Sequence, residues 1–313
     1  MSPETSSQHM TGLSIAVTGA TGFIGGVLLQ SLVRDGWKVR ALTRRPQTGG
    51  GSITWIQGDL NDPVALQNLV RGVSAVVHCA GQVRGSSLDE FTRTNAEGTA
   101  NLVKASTEQD SAPRFLLISS LAARQPELSW YATSKYLAEQ IVADHSGVMP
   151  CAVFRPTAVY GPGDKEMSPL FRATQRGVLP MVGGSDMRFG LLHVNDLVAA
   201  ILCWLGTRVP IHGIYELDDG MPGGYNGQSV AAIAQDVWKR PVRCFFLPVS
   251  LVSMTANINL YLARLLHYSP MLTPGKVREL QHPNWVCDIA PLTKALPDWQ
   301  PSMRLRDALP QAA

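Results

Sequence analysis

Through roughly the first two hundred residues, short apolar runs alternate with longer amphipathic ones. The runs LSIAVTG, WKVRALT, SITWIQG, VSAVVHCAG, RFLLISS and CAVFRP are rich in β-branched and aromatic residues and end at turn signals, a pattern that predicts strands. Between them, segments 23–35, 63–71, 88–108 and 131–145 have helical length and spacing. Strand–helix alternation of this kind predicts an α/β fold, a doubly wound parallel sheet with helices on both faces. After Arg155 the chain turns Gly- and Pro-rich, then returns to a strand and helix in LLHVNDLVAAILCWLG, where Asn195 or Asp196 is the expected N-cap. A strand (GIYEL), a helix over 228–238 and an apolar stretch over 247–272 follow. The expected division is a sheet domain from 12–155 plus about 191–212, and a smaller, mostly C-terminal α/β lobe from about 156–190 plus 213–313. Residues 1–11 are polar and read as a disordered leader or a tag remnant, with Met10 an alternative start.

Composition narrows the class. The 313 residues are 45% hydrophobic and 16% charged, with a net charge of +3, so neither a nucleic-acid footprint nor a disordered chain is indicated. Cys79, Cys151, Cys203, Cys244 and Cys287 are scattered and odd in number, which favours free thiols in a reducing compartment. The seven histidines do not cluster with cysteines or carboxylates, so no metal is expected. No signal peptide or uninterrupted membrane-length apolar run is visible, and the cytoplasm is the default location.

The stretch IAVTGATGFIGG sets Gly19, Gly22 and Gly25 directly after the first strand and at the opening of the first helix. Glycines there permit a tight turn and let a pyrophosphate approach backbone N–H groups at the positive end of a helix, the chemistry of a Rossmann dinucleotide site. An NAD site usually ends its second strand in a carboxylate. This chain has Thr43, Arg44 and Arg45 instead. A guanidinium pairs bidentately with a 2′-phosphate, which favours NADP(H), with NAD(H) the alternative; the plain reading leaves both arginines solvated at a strand end. Asp59, after the third strand, either accepts from the adenine amino group or is an exposed turn residue.

Tyr131 and Lys135 stand four residues apart in SWYATSK, at the start of the fourth helix segment, so they share a face. Ser119 and Ser120 end the fifth strand, and Ala80-Gly81 end the fourth. A free phenol has a pKa of about 10. An ammonium about 4 Å away favours phenolate by about 4 kcal/mol at an effective dielectric of about 20. The pair is therefore spaced for proton transfer, with a serine hydroxyl to hold the reacting oxygen.

In order and spacing, VTGATGFIGG, GDL, HCAG, TNAEGT, ISS, YATSK, RPTAVYGPGD and LLHVNDL resemble the blocks of the extended short-chain dehydrogenase/reductases, the NAD-dependent epimerase/dehydratase superfamily, over roughly residues 13–205. FRPTAVYGPGDKEMSPLF followed by HVNDLVAAIL looks most like the 3β-hydroxysteroid dehydrogenase-like branch. The resemblance implies Tyr131 as acid/base, Lys135 as its modulator and ribose anchor, and Ser120 as donor to the substrate oxygen. It implies cofactor contacts from Gly19, Thr21, Gly22, Phe23, Ile24, Gly25, Arg44, Arg45, Asp59, Leu60, Ala80, Gly81, Asn95, Tyr131, Lys135 and Pro156, with Arg155-Pro156 at a special turn. It also implies a homodimer packed through segments 88–108 and 131–145. The chain departs from the nucleotide-sugar members at FGLLHVND, where His193 reads as a strand-end packing residue and Arg188 as a surface residue rather than a phosphate ligand.

Segment 247–272 reads as a core or lid helix, as the wall of an apolar pocket, or as an interfacial membrane helix; Arg264 alone supplies little basic charge for the last. The expected function is an NADP(H)-dependent oxidoreductase interconverting a ketone and a secondary alcohol on an apolar steroid-, polyketide- or acyl-like substrate. The rivals are a nucleotide-sugar 4-epimerase or dehydratase holding NAD tightly, and a nonenzymatic NADP-binding sensor or assembly subunit.

Overall fold

The computed structural model describes residues 13–48 and 50–312; the leader expected over 1–11 lies outside the described residues. Six strands form where the apolar runs place them: β1 (Ser14–Thr18), β2 (Lys38–Thr43), β3 (Ile53–Gln57), β4 (Ala75–His78), β5 (Arg114–Ile118) and β6 (Cys151–Pro156). Short strands β7 (Ala158–Tyr160), β8 (Val178–Val182), β9 (Arg188–Phe189) and β10 (Leu191–His193) follow, then β11 (Gly213–Leu217), β12 (Arg243–Leu247) and β13 (Asn284–Trp285). The main sheet is parallel, in the order β11-β6-β5-β4-β1-β2-β3. Strand β11, expected in the smaller lobe, instead pairs with β6 and closes this sheet at one edge.

Helices α1 (Phe23–Arg34), α2 (Pro63–Val70), α3 (Leu88–Thr92), α4 (Gly98–Thr107) and α5 (Trp130–Asp144) connect the first strands. The strands are apolar on both faces because both are covered. Ile15 and Val17 of β1, with Ala75 and Val77 of β4, join one core layer; Ala16 and Val76 join the other. Each fully buried Val or Ile contributes about 1.5–3 kcal/mol. The segment expected as one helix over 88–108 is interrupted: α3 runs through a π-helical turn, Arg93–Glu97, into α4. That turn carries Asn95.

α6 (Ser168–Gln175), α7 (Val194–Gly206), α8 (Gly227–Trp238), α9 (Val249–Leu266), α10 (Pro274–Gln281), α11 (Ala290–Ala295) and α12 (Leu305–Ala312) complete the described chain. Helix α7 packs on the main sheet, and its N-cap is His193, not Asn195 or Asp196. Asp196 is instead a tether, its carboxylate accepting from Ser302 Oγ (2.8 Å) and Met303 N (2.9 Å). Three two-stranded parallel ladders, β7/β10, β8/β12 and β9/β13, lie apart from the main sheet, and α6, α8 and α12 share a third core cluster with Tyr160, Leu179 and Leu191. Helix α9 rests on a small cluster built from Val252, Ala256 and Val277.

Candidate active site

The chain winds outward from β1 to β3 and then back from β4 to β6, so the order reverses between β1 and β4. In such sheets ligands occupy the crevice beyond the strand ends at that reversal. Gly19 follows β1 with φ +69°, and a Cβ there would stand 2.7 Å from Ala80 N, in the turn after β4. Only glycine satisfies both conditions. A Cβ on Gly25 would collide with the Gly19 carbonyl, so that glycine seats α1 against the turn. Gly22 N donates to Gly19 O (2.9 Å), and Gly22 is the N-cap of α1 with no side chain to engage the helix N–H groups. This bare, positive helix end fits a pyrophosphate. Thr21 is exposed beside it, while Phe23 and Ile24 are half-buried in the first turn.

At the far end of the crevice, Arg44 lines a pocket with Gln57, Gly58, Asp59 and Asp62. Thr43, buried, accepts from Arg45 N (3.3 Å), and the turn leaves both arginine side chains exposed and outside any ion pair among the described residues. One Asp59 oxygen accepts from Asn61 N (2.7 Å), so the turn role is present. Leu60 is buried beside Gly98, and its carbonyl accepts from Asn101 (2.9 Å).

The chemistry-bearing side chains meet on α5. Ser129 caps the helix, accepting from Ala132 N (3.0 Å). Tyr131, Lys135 and Glu139 then follow at i, i+4 and i+8 on one face. Lys135 is buried, donates to Ile118 O (2.7 Å), and has its Nζ 3.5 Å from where a Cβ on Gly81 would stand. Gly81 also abuts Asn95, whose side chain accepts from Gln82 N (2.7 Å) and donates to Gln82 O (3.0 Å) and Ser134 Oγ (2.9 Å). Asn95 thus clamps the turn after β4 to α5. Pro156, at the end of β6, is buried; Arg155 donates to Glu139 Oε1 at 2.9 Å.

The two serines after β5 have separate partners. Ser119 Oγ donates to Glu139 (2.5 Å), inside the buried Glu139–Arg155 ion pair (2.5 Å). Ser120 faces the Tyr131 phenol and caps a short 3₁₀ turn through Ala122 N (3.2 Å). The phenol is not driven toward phenolate, as the spacing with Lys135 led one to expect. Burial pushes its pKa up to about 12, against the Ser120 hydrogen bond and with help from the Glu279 carboxylate. Burial likewise pulls Lys135 down to about 8, opposed by Glu139 and Cys79. The ammonium spends its strongest contact on a carbonyl, and desolvation wins. His78, buried with Thr18 on one ring nitrogen (2.5 Å) and Thr99 on the other (3.0 Å), is held neutral; burial, then the Lys135 charge, pulls its pKa down to about 3.

Two participants were not anticipated. Glu139 lies one turn beyond Lys135, and that spacing was available to find it. Glu279 comes from α10, which approaches α5 so closely that a Cβ on Gly275 would stand 2.8 Å from Ser129 Cβ. It accepts from Ser129 Oγ and pairs with Lys276 (2.9 Å). Nothing local in the sequence joins residues 150 positions apart. Arg188 is an exposed residue of β9, and His193 is buried edge-on to Tyr160 with ring centroids 5.4 Å apart.

Comparison with known proteins places this geometry. Residues 15–217 match the model of the NAD dependent epimerase/dehydratase family. A ceramide reductase of Caulobacter vibrioides is 35% identical over 90% of this chain and 89% of its own. A 3 beta-hydroxysteroid dehydrogenase/Delta 5→4-isomerase of Mycobacterium tuberculosis is 28% identical over 63% of this chain and 61% of its own. In overall fold the chain superposes on MoeE5, solved with UDP-glucuronic acid and NAD, with a TM-score of 0.74 over 96% of this chain and 97% of that one at 23% identity. The chain belongs to the NAD dependent epimerase/dehydratase family and is an NAD(P)-dependent enzyme of the extended short-chain dehydrogenase/reductase type.

Proposed function

We propose that the protein is an NADP(H)-dependent ketoreductase whose substrate is a long-chain, ceramide-like lipid bearing a ketone where the product carries a secondary alcohol. The observation that carries this reading is the reach of the similarity to the ceramide reductase. At 90% of the chain it runs through the C-terminal lobe, whereas the similarity to the steroid dehydrogenase covers 63%. Tyr131, protonated at neutral pH, is the proton source that reduction of a carbonyl oxygen requires.

In this assignment Gly19, Thr21, Gly22, Phe23, Ile24 and Gly25 hold the pyrophosphate, and Arg44 and Arg45 take the 2′-phosphate. Asp59 and Leu60 border the adenine, while Ala80, Gly81, Asn95 and Pro156 border the nicotinamide half. The bound dinucleotide supplies the hydride that reaches the carbonyl carbon. Ser120 donates to the substrate oxygen and orients it. Tyr131 passes its proton to that oxygen, completing the alcohol, and the Lys135 ammonium offsets the phenolate left behind while anchoring the ribose. Arg44 and Arg45, exposed and outside any ion pair among the described residues at the end of a strand that lacks a carboxylate, support NADPH over NADH.

The five free cysteines favour a reducing, cytoplasmic setting. The face shared by α3 and α5 leaves Leu88, Tyr136 and Leu137 exposed, which supports a homodimer through these helices; a sedimentation mass equal to one chain would refute it.

The test is turnover of 3-keto long-chain amides with NADPH, read from cofactor absorbance and product mass. Formation of the secondary alcohol is expected. Tightly retained NAD together with interconversion of UDP-sugars, and no lipid turnover, would replace this reading with the epimerase.

A further inference from the structure

Helix α9 is amphipathic in the wrong sense for a helix bathed in water. Its buried residues, Val252, Ala256 and Ala263, form one narrow stripe against the protein. The opposite arc should be polar. Instead it presents Leu251, Met254, Ile258, Tyr261, Leu262 and Leu265, exposed by 50, 55, 53, 70, 39 and 61%. Steps of three and four residues carry the face through 251, 254, 258, 261 and 265, Leu262 lies on it four residues after Ile258, and Ser253, Asn257 and Arg264 fall on its flank. An outward stripe of this length marks an interaction surface.

The charge around it is one-sided. Between Val237 and Arg278 there is no Asp or Glu, while Lys239, Arg240, Arg243, Arg264, Lys276 and Arg278 are basic. Lys239 and Lys276 pair with Asp236 (3.1 Å) and Glu279 (2.9 Å) at the two ends, which leaves the four arginines as the segment's uncompensated charge among the described residues. Arg243 is exposed and makes no ion pair among the described residues. The sparse basic charge that weakened an interfacial reading of the sequence is therefore made up by residues outside the helix. An apolar face on a segment whose uncompensated charge is four arginines complements an anionic lipid surface.

The geometry points to α9 as a membrane-docking helix that lies in the headgroup region of an anionic bilayer. By length and composition this 18-residue helix is also apolar enough to span a bilayer. Its attachments oppose that: Asn259 Nδ2 donates to Leu272 O (2.8 Å), and Arg264 donates to Ser86 O (3.2 Å) with its guanidinium 5.9 Å from the Trp130 ring centre. Gly85 N adds a bond to Pro270 O (3.2 Å). Arg264 thus pins the C-terminal half of α9 to the segment after β4 and to the first residue of α5, next to Tyr131, and the loop after α9 is tied to the same segment through Pro270. A lipid leaving the bilayer at this edge meets the candidate site directly. Docking stands on the exposure and charge of α9; its use in substrate delivery rests on the function proposed above.

The test is flotation of the full-length protein with vesicles of phosphatidylglycerol and phosphatidylcholine in equal parts, against phosphatidylcholine alone, without substrate. Partition onto the anionic vesicles, weakened by salt, is expected. Ile258→Glu/Leu265→Glu should lower it at least ~10-fold, because each carboxylate must enter the interface, with thermal unfolding and NADPH affinity unchanged. Met254→Gln/Leu265→Gln serves should the double glutamate not fold. Arg243→Ser should weaken partition about fivefold, from about 1 kcal/mol per basic group near an anionic surface. No partition on either vesicle, or partition indifferent to both double variants, overturns the proposal. So does a wild-type dimer that the double glutamate turns into a monomer without any vesicle binding, since the face would then join two copies. A protein that floats as expected but reduces no ketone keeps the docking and loses the catalytic reading; turnover of a short soluble ketone without flotation does the reverse.

Discussion

Helices α5 and α9 are of similar length, 15 and 18 residues, and they solve opposite problems. α5 buries ionisable groups and satisfies them. Lys135 has Ile118 O, Glu139 has Arg155 and Ser119, and the Ser129 cap has Glu279. α9 exposes apolar groups and leaves them uncovered in the described chain. Buried charges are tolerated only when each has partners, so every member of α5's face depends on another element. Uncovered apolar groups depend on nothing in the fold, and point to something outside it. The contrast teaches where to look in each: inward contacts for the chemistry, outward faces for the company the protein keeps.

The largest expected effect separates the two helices outright. Tyr131→Phe should cut ketone reduction by about 10³-fold, in the range of a lost general acid, while NADPH affinity and vesicle flotation stay within a factor of about two. Steady-state kinetics with titration and flotation check it; substantial residual turnover would remove Tyr131 from the proton path. Next comes the support beneath it. Glu139→Gln strips one partner from a buried ion pair and should destabilise the protein by about 3 kcal/mol, measured by urea unfolding, a cost that no substitution on the outer face of α9 should approach.

A smaller effect is expected at the far end of the crevice. Arg44→Ser/Arg45→Ser should weaken NADPH by about 10-fold or more, the loss of at least one charge-assisted bond, and leave NADH within about threefold. Equal losses for both cofactors would sink the NADP preference.

The pH dependence sharpens the α5 side. Lys135 has a folded pKa of about 8, below its ordinary 10.5, so its ammonium is present below that value and is lost as pH rises through it. Turnover should fall above a pH of about 8 for that reason. A profile flat to pH of about 10 would show that the ammonium is not required. The smallest effect belongs to Glu279→Gln, which removes a charge that raises the phenol. It should change kcat by no more than about fivefold, and shift any limb belonging to Tyr131 toward lower pH. An unchanged limb would reduce Glu279 to a helix clamp.

The order of strands and helices, the glycine turn and the Tyr131–Lys135 spacing were legible because each is written in neighbours along the chain. Apolar alternation, the strand-before and helix-after context of Gly19, and an i, i+4 pair need only local geometry. The π turn at Asn95 was not legible, because one extra residue in a helix leaves the apolar pattern nearly intact. The place of β11 was missed for another reason. A strand's pattern says that it is buried, not which sheet buries it.

Electrostatics divided in the same way. Sequence spacing named the acid, the ammonium and the serine, but the sign of the phenol's shift came from burial, which spacing does not contain. Glu279 reaches the cap of α5 from 150 residues away, and only the packing of α10 brings it there. Segment 247–272 is the sharpest case. Its apolar composition suits a core helix, a pocket wall and a membrane surface alike, because composition records how hydrophobic a helix is and not which way it faces. The chain by itself determined an NAD(P)-dependent enzyme of the extended short-chain dehydrogenase/reductase type. Tertiary structure alone decided which groups are buried and which partners they meet there, and left one apolar face turned to the outside.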